Sequence, residues 1–147
     1  MVILVNKWDL ASGTNVSAEL YKEDMYAEFK DLQHYPILFV SALTKRRVSN
    51  ILEKAWETFT KQKEKLSTKD LNVWIEKAVK NYPPPATQGK SIKVKFVEQV
   101  QQSPPIFALF SNYPKLISIQ YLRYLHNQLR ESFDLKGITI KFSLRKG

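Results

Sequence analysis

The chain has 147 residues, of which 44% are hydrophobic and 25% are charged, and its formal net charge is +9. This composition is typical of a globular protein and excludes a disordered or a fibrous chain. The sequence contains no cysteine, which excludes disulfides and thiolate metal sites, and no apolar run approaches the roughly 18 residues of a membrane span, so we expect a cytoplasmic protein without a membrane partner.

Residues 1–65 show alternating strand and helix patterns. The apolar run Val2–Val5 predicts a short buried strand, and apolar residues at spacings of three and four predict a helix from Ser17 to about Gln33. A second apolar run, Ile37–Val40, predicts another strand, and a second helix pattern begins at Val48. The order strand, helix, strand, helix predicts parallel strands joined by right-handed crossovers.

Periodicity and composition both change near Leu66, where we place a domain boundary. Residues 66–147 predict the order helix, strand, strand, helix, strand, and Ser67 begins a capping sequence for the first of these helices. The predicted elements are a helix that ends before Pro83, strands Ile92–Val97 and Ile106–Phe110, a helix start at Asn112–Pro114, a helix Tyr121–Phe133 and a strand Ile138–Leu144.

The positive charge is concentrated in the second of these segments. Residues 1–65 contain ten Lys and Arg against nine Asp and Glu, whereas residues 66–147 contain thirteen against five. Such an excess attracts phosphate backbones over a long range, which favours a nucleic acid or a ribonucleoprotein as the partner. A solvated lysine-rich surface is the alternative.

The sequence Asn6-Lys7-Trp8-Asp9 directly follows the first predicted strand, where open parallel sheets bind ligands. Guanine presents its N1–H beside its exocyclic amino group, and one carboxylate, here Asp9, can accept from both. Asn6 can bond the purine edge or tie neighbouring loops together, and the stem of Lys7 can cover the ring. Ser41 and Ala42 follow the second strand, where GTPases place backbone N–H groups that meet guanine O6. The alternative is an ordinary turn between strand and helix.

Six segments, in order along the whole chain, carry a resemblance to a known family. They are Val2–Leu10, Phe39–Thr44, Tyr82–Pro85, Ser103–Pro105, Leu109–Asn112 and Tyr124–Glu131. Together they resemble the Der (EngA) family of tandem GTPases, in which two GTPase domains precede a KH-like domain and which assist assembly of the large ribosomal subunit in bacteria. The resemblance implies that this chain is the last third of such a protein.

The fold implied by the resemblance has two parts. Residues 1–65 are expected to be the distal half of the second GTPase domain, an α/β half-domain of the P-loop type. Residues 66–147 are expected to be a complete α+β KH-like domain, with a three-stranded sheet and helices on one face. The implied partners are the large ribosomal subunit with its RNA and the missing GTPase domains of the parent. The exposed strand edge and apolar face of the half-domain are expected either to drive pairing with another copy or to leave residues 1–65 poorly ordered.

The resemblance also implies GTP or GDP in the intact parent, with a Mg²⁺ site outside this chain. No Gly-x-x-x-x-Gly-Lys-Ser/Thr phosphate loop is present, since Gly89-Lys90-Ser91 precedes a strand and Pro84 stands where the first glycine belongs. His34 and His126 are isolated, so we expect no metal site and no catalytic residue here. The chain is therefore expected to be inactive alone and to bind GTP only in the millimolar range or more weakly.

The KH-like segment lacks the Gly-x-x-Gly loop with which such modules grip single strands. Its contact with RNA or the ribosome is therefore expected to use basic side chains, namely Lys93, Lys95, Lys136, Lys141, Arg145 and Lys146. Four phenylalanines are predicted to face the helices as core, namely Phe96, Phe107, Phe110 and Phe142. The alternative function is a stand-alone structural module that docks against the GTPase domains and binds no nucleotide.

Overall fold

The computed structural model describes all residues from 1 to 147 and divides into two compact units. Unit 1 consists of Met1–Lys61 with Lys136–Ile138, and unit 2 consists of Gln62–Leu135 with Thr139–Gly147. The division thus lies a few residues before the boundary expected at Leu66. None of the helices is long and apolar enough to cross a membrane.

Unit 1 has two short parallel strands and two α-helices. Its elements are β1 (Ile3–Val5), a 3-10 helix (Trp8–Ala11), α1 (Ala18–Glu28), a second 3-10 helix (Lys30–His34), β2 (Ile37–Phe39) and α2 (Ser49–Gln62). Strands β1 and β2 pair in parallel, with Ile3 opposite Ile37 and Val5 opposite Phe39. The predicted parallel arrangement is confirmed, but the helix predicted over residues 17–33 ends at Glu28 and continues as a separate 3-10 helix.

The core of unit 1 is small. Phe39 and Val40 are buried, and the Phe39 ring contacts the rings of Trp8 and Tyr21 at centroid distances of 4.4 and 6.0 Å. The prediction that the first strand is buried is wrong, because Leu4 is 45% exposed in a sheet of only two strands. The apolar stripe of α2 is exposed too, with Trp56 at 70%.

Unit 2 has an α+β fold in the predicted order helix, strand, strand, helix, strand. Its elements are α3 (Thr68–Asn81), β3 (Val94–Gln101), β4 (Ile106–Ser111), a 3-10 helix (Pro114–Leu116), α4 (Ile119–Phe133) and β5 (Lys141–Lys146). The strands form one sheet in the order β3-β4-β5, in which β3 is antiparallel and β5 parallel to β4.

The core of unit 2 lies between the helices and one face of this sheet. Fully buried side chains come from all of these elements, namely Leu71 and Ile75 of α3, Leu125 and Leu129 of α4, and Val97, Phe107 and Leu109 of the sheet. Asn72 of α3 also bonds the backbone of Val97, accepting from its N–H and donating to its carbonyl.

The alternation predicted for β3 changes partway along the strand. Val94 lies opposite Ser111 and Phe96 lies opposite Phe110, so two steps on β3 match one step on β4. This bulge reverses which side chains point inward. Phe96 is therefore 39% exposed and Val97 is fully buried. Phe110 lies opposite Phe96 and next to the buried Leu109 on the same strand, so it also points away from the helices. The predictions that Phe96 and Phe110 face the helices as core are both wrong.

Two helix starts differ from the sequence prediction. Asn112–Pro114 precedes only a single 3-10 turn, and α4 begins at Ile119 after Ser118, whose hydroxyl accepts from the Tyr121 N–H at 3.1 Å. The Asn112 side chain instead accepts from the Lys93 N–H and donates to the Ser91 carbonyl. Ser67 does occupy the N-cap position of α3, but its side chain makes no capping hydrogen bond.

Candidate functional site

The loops that follow β1 and β2 meet at one edge of the two-stranded sheet. Because parallel strands end on the same side of a sheet, the residues after Val5 and those after Phe39 are neighbours in space. The Trp8 N–H donates to the Val40 carbonyl at 3.0 Å and joins the two loops. The structure thereby brings the predicted residues of both loops together.

Asn6 connects the two loops through its side-chain oxygen. This oxygen accepts from the Lys7 N–H at 2.8 Å and from the Ala42 N–H at 3.1 Å. The sequence left two roles open for Asn6, namely bonding the purine edge and tying neighbouring loops together. The contact with Ala42 corresponds to the second role. The Ala42 N–H therefore already donates to Asn6, and an incoming carbonyl oxygen would compete with the Asn6 oxygen for this hydrogen bond.

Ser41 is buried and holds Asp9 in place. Its hydroxyl donates to the Asp9 carboxylate and accepts from the Thr44 N–H at 3.2 Å. A carboxylate offers about four lone-pair positions, and the half-buried Asp9 uses one of them here. The group can therefore accept further hydrogen bonds while the serine fixes its orientation.

Lys7 occupies the left-handed region of the backbone with φ of 60°, and its side chain is exposed. The next residue, Trp8, packs on Phe39 and so anchors the loop to the small core. The same loop therefore carries the exposed side chain of Lys7 and, two residues later, the Asp9 carboxylate that Ser41 orients. Chemically, this arrangement can cover a planar ring and accept hydrogen bonds from its edge.

The six predicted basic contact residues are all exposed. Lys136 belongs to unit 1 and the other five to unit 2. Lys141 and Arg145 lie two alternations apart on β5 and therefore share one face of the sheet. Lys93 and Lys95 lie at the start of β3.

Unit 2 contains a tyrosine cluster that was not predicted from the sequence. Tyr82, Tyr121 and Tyr124 have ring centroids 5.2 to 6.0 Å apart, and a hollow of about 380 Å³ is lined by Asn81, Tyr82, Tyr124 and Gln128. The hydroxyls of Tyr121 and Tyr124 donate to the carbonyls of Tyr82 and Ala78. Burial raises the pKa of both phenols. The helical spacing of Tyr121 and Tyr124 was the available signal.

Comparison with known proteins places this chain in a family. The sequence profile described as the KH-domain-like C-terminal domain of EngA bacterial GTPase enzymes matches residues 65–145. This chain belongs to that EngA family. The match covers more than half of the chain and includes α3, β3, β4 and α4 of unit 2 completely and β5 except for its last residue, Lys146.

Curated relatives of this EngA chain carry the name GTPase Der. The chain is 40% identical over 146 residues to the protein of Amoebophilus asiaticus, 39% over 146 residues to that of Flavobacterium johnsoniae, and 41% over 144 residues to that of Fusobacterium nucleatum. These alignments cover 97 to 99% of the chain but only 33 to 34% of each relative. The chain thus spans about a third of their length, and its resemblance to the Der (EngA) family is confirmed.

Proposed function

We propose that this chain is the C-terminal part of a ribosome-assembly GTPase of the Der type. In this proposal, residues 1–65 recognise guanine as part of a P-loop half-domain, and residues 66–147 contact ribosomal RNA as a KH-like domain. The observation that carries the first role is the hydrogen bond from the buried Ser41 hydroxyl to Asp9. This bond joins the loop after β1 to the loop after β2, and the sequence predicted a guanine-binding role for each loop separately.

The residues present are suited to the base of the nucleotide. Asp9 would accept from guanine N1–H and the exocyclic amino group, since its orientation is held by Ser41 and its remaining lone pairs can accept hydrogen bonds. The stem of Lys7 would cover the ring, and Asn6 would keep Ala42 beside it. In the parent protein, GTP would supply the phosphoanhydride bond that is hydrolysed. Its phosphates and Mg²⁺ would be held by parts of the parent outside this chain, because the chain contains no phosphate loop.

A nucleotide titration of the full chain, followed by amide NMR shifts, tests the base-recognition role. We expect GMP and GTP to bind with similar millimolar affinities, corresponding to about 4 kcal/mol, and AMP to bind more weakly. Micromolar GTP binding would contradict the weak-binding expectation, and GTP hydrolysis by the pure chain would contradict the expected inactivity.

The variant Asp9→Asn sharpens this test. An amide offers only one acceptor oxygen to guanine, but its N–H₂ can donate to the oxygen that xanthine carries in place of the amino group. We expect the variant to lose GMP binding and to gain xanthosine monophosphate binding, whereas Asp24→Asn, on the exposed side of α1, leaves both unchanged. If Asp9→Asn bound GMP as well as the natural chain, Asp9 would not be the recognition group.

The excess of basic residues in 66–147 favours the second role, contact with ribosomal RNA. Binding of the full chain to a large-subunit RNA fragment should weaken steeply with salt. Lys141→Glu with Arg145→Glu should reduce affinity strongly, whereas Lys30→Glu with Lys45→Glu makes the same charge change in unit 1 and should reduce it little. If both double variants reduced affinity equally, the binding would be a nonspecific attraction to positive charge and not a contact made by unit 2. No binding by the natural chain would favour the alternative, a docking module for the parent's GTPase domains.

A further inference from the structure

One face of the sheet of unit 2 packs against its helices, and the other face points away from them. Val97, Phe107 and Leu109 point toward α3 and α4 and are fully buried, and Phe142 contacts His126 of α4 at a ring distance of 4.6 Å. Strand side chains alternate between faces. The alternate positions on the three strands therefore form a second face, which we call the open face. It is made by Phe96, Glu98, Ile106, Ala108, Phe110, Lys141, Ser143 and Arg145, of which only Ala108 is buried.

A pair of stacked phenylalanine rings lies on the open face. Phe96 and Phe110 are directly opposite each other on β3 and β4, and their ring centroids are 4.1 Å apart with planes 14° from parallel. Phe96 is 39% exposed although it is a large apolar side chain. The bulge at the start of β3 turns this ring toward solvent, so an aromatic surface is available beside the strand edge.

Two cations share this face with the rings. Arg145 lies opposite Phe110 and Lys141 lies opposite Ile106 in the parallel register of β4 and β5. They are four residues apart, about 13 Å along a strand, so they can contact different phosphates of one chain. Glu98 is the only carboxylate side chain on the open-face positions of the three strands.

We propose that the open face binds single-stranded RNA, with bases stacked on the Phe96–Phe110 pair and phosphates on Lys141 and Arg145. Aromatic faces stack on any unpaired base, and basic side chains beside them neutralise the backbone. A duplex hides its base faces and cannot use the rings. This inference rests on the proposed contact with ribosomal RNA and specifies its surface, which differs from a Gly-x-x-Gly grip.

The first test compares two phenylalanine substitutions in the full chain. A dye-labelled single-stranded oligoadenylate of about eight nucleotides serves as the probe in fluorescence anisotropy. Phe96→Leu keeps an apolar side chain but removes the ring, and we expect about tenfold weaker binding, as for the loss of one stacked base. Phe29→Leu makes the same change at an exposed phenylalanine of unit 1 and should leave binding within about twofold.

The salt dependence separates stacking from charge. Phe96→Leu should weaken binding equally at every salt concentration, because no ion is displaced by a ring. Lys141→Gln should lower the slope of log affinity against log salt by about 0.7, the value for one phosphate contact on a single strand. Lys77→Gln, on an exposed position of α3, should change neither quantity.

A probe with a fluorescent adenine analogue, whose emission falls on stacking, gives a readout on the natural chain that does not depend on any variant folding. We expect the natural chain to quench the emission and Phe96→Leu to lose this quenching.

Three results would each overturn the inference: unchanged affinity in Phe96→Leu, unquenched emission on the natural chain, or equal binding of a matched duplex. If the natural chain binds and Lys141→Gln lowers the slope while Phe96→Leu has no effect, only the stacking surface fails. If the natural chain binds no RNA, the proposed RNA contact fails with it.

Discussion

Gly137 has a backbone conformation that favours glycine, and it leaves little room for a side chain. Its φ is +82°, a conformation that side chains with a Cβ rarely adopt, and an added Cβ would lie 3.1 Å from Pro36 Cδ and 3.2 Å from Thr58 Cγ2. Its N–H donates to the His34 carbonyl at 2.7 Å. The residue therefore holds the short segment Lys136–Ile138 within unit 1.

We expect Gly137→Ala to destabilise the protein by about 2–3 kcal/mol, since it adds close contacts to a strained backbone. Gly89→Ala is the matched control, because Gly89 also has a positive φ, of 69°, but nothing lies within 4 Å of an added Cβ. The control should cost only about 1 kcal/mol. Urea unfolding of both variants measures the difference, and equal costs would show that the space around Gly137 is not restrictive.

The buried phenol of Tyr121 should make stability depend on alkaline pH. Burial first, and then the neighbouring phenols of Tyr124 and Tyr82, raise its pKa in the folded state. Above about pH 10, where an unfolded tyrosine ionises, the unfolded chain loses this proton before the folded one does. The stabilisation is therefore complete below that pH and is lost as the pH rises.

The variant Tyr121→Phe isolates this effect. Loss of its hydrogen bond to the Tyr82 carbonyl should cost about 1 kcal/mol at neutral pH. The fall in stability above about pH 10 should become shallower, though Tyr124, whose pKa burial also raises, keeps part of it. Urea unfolding across alkaline pH gives both values, and an unchanged pH slope would show that Tyr121 ionises equally in both states.

At the scale of elements, the two main helices of unit 2 begin differently. The Ser118 hydroxyl accepts from the Tyr121 N–H at the start of α4, whereas Ser67 occupies the same position of α3 without such a bond. We expect Ser118→Ala to cost about 1 kcal/mol and Ser67→Ala much less. Thermal unfolding of the pair tests this, and a larger cost for Ser67→Ala would reverse the assignment.

The element order of unit 2 was predictable, but the faces of β3 were not. Alternation of Val94 and Phe96 in the sequence predicted that both point inward, since nothing local marks the bulge between them. The bulge exists because β3 must match the register of β4, which is a property of the pair of strands. The bulge also hid the outward side of Phe96 and with it the Phe96–Phe110 stack, whereas the outward side of Phe110 follows from simple alternation with Leu109 on β4.

At the scale of the whole molecule, unit 1 exposes apolar surface on both its sheet and α2. Leu4 and Leu52 are exposed along with Trp56, and β1 pairs only with β2, which leaves one edge of each strand unpaired. Such a surface and edge promote association. We therefore infer that the chain self-associates through unit 1.

Sedimentation at increasing protein concentration tests this inference. The natural chain should form dimers or larger species at micromolar concentration, and Trp56→Glu should shift them toward monomer. Ile119→Glu, at an exposed apolar position of unit 2, should leave the distribution unchanged. A strictly monomeric natural chain would contradict self-association, whereas an equal shift in both variants would show that association is not specific to the apolar surface of unit 1.

Local sequence patterns were enough to predict the order of strands and helices, the uneven charge and the position of Asn6, Asp9, Ser41 and Ala42 after two parallel strands. These properties follow from local patterns of apolar residues and from composition. Three further properties became visible only in the folded chain: Ser41 holds Asp9, residues 136–138 belong to unit 1, and Phe96 turns outward. Each of these depends on groups far apart in the chain, whose distance is set by packing and strand register and by no local preference.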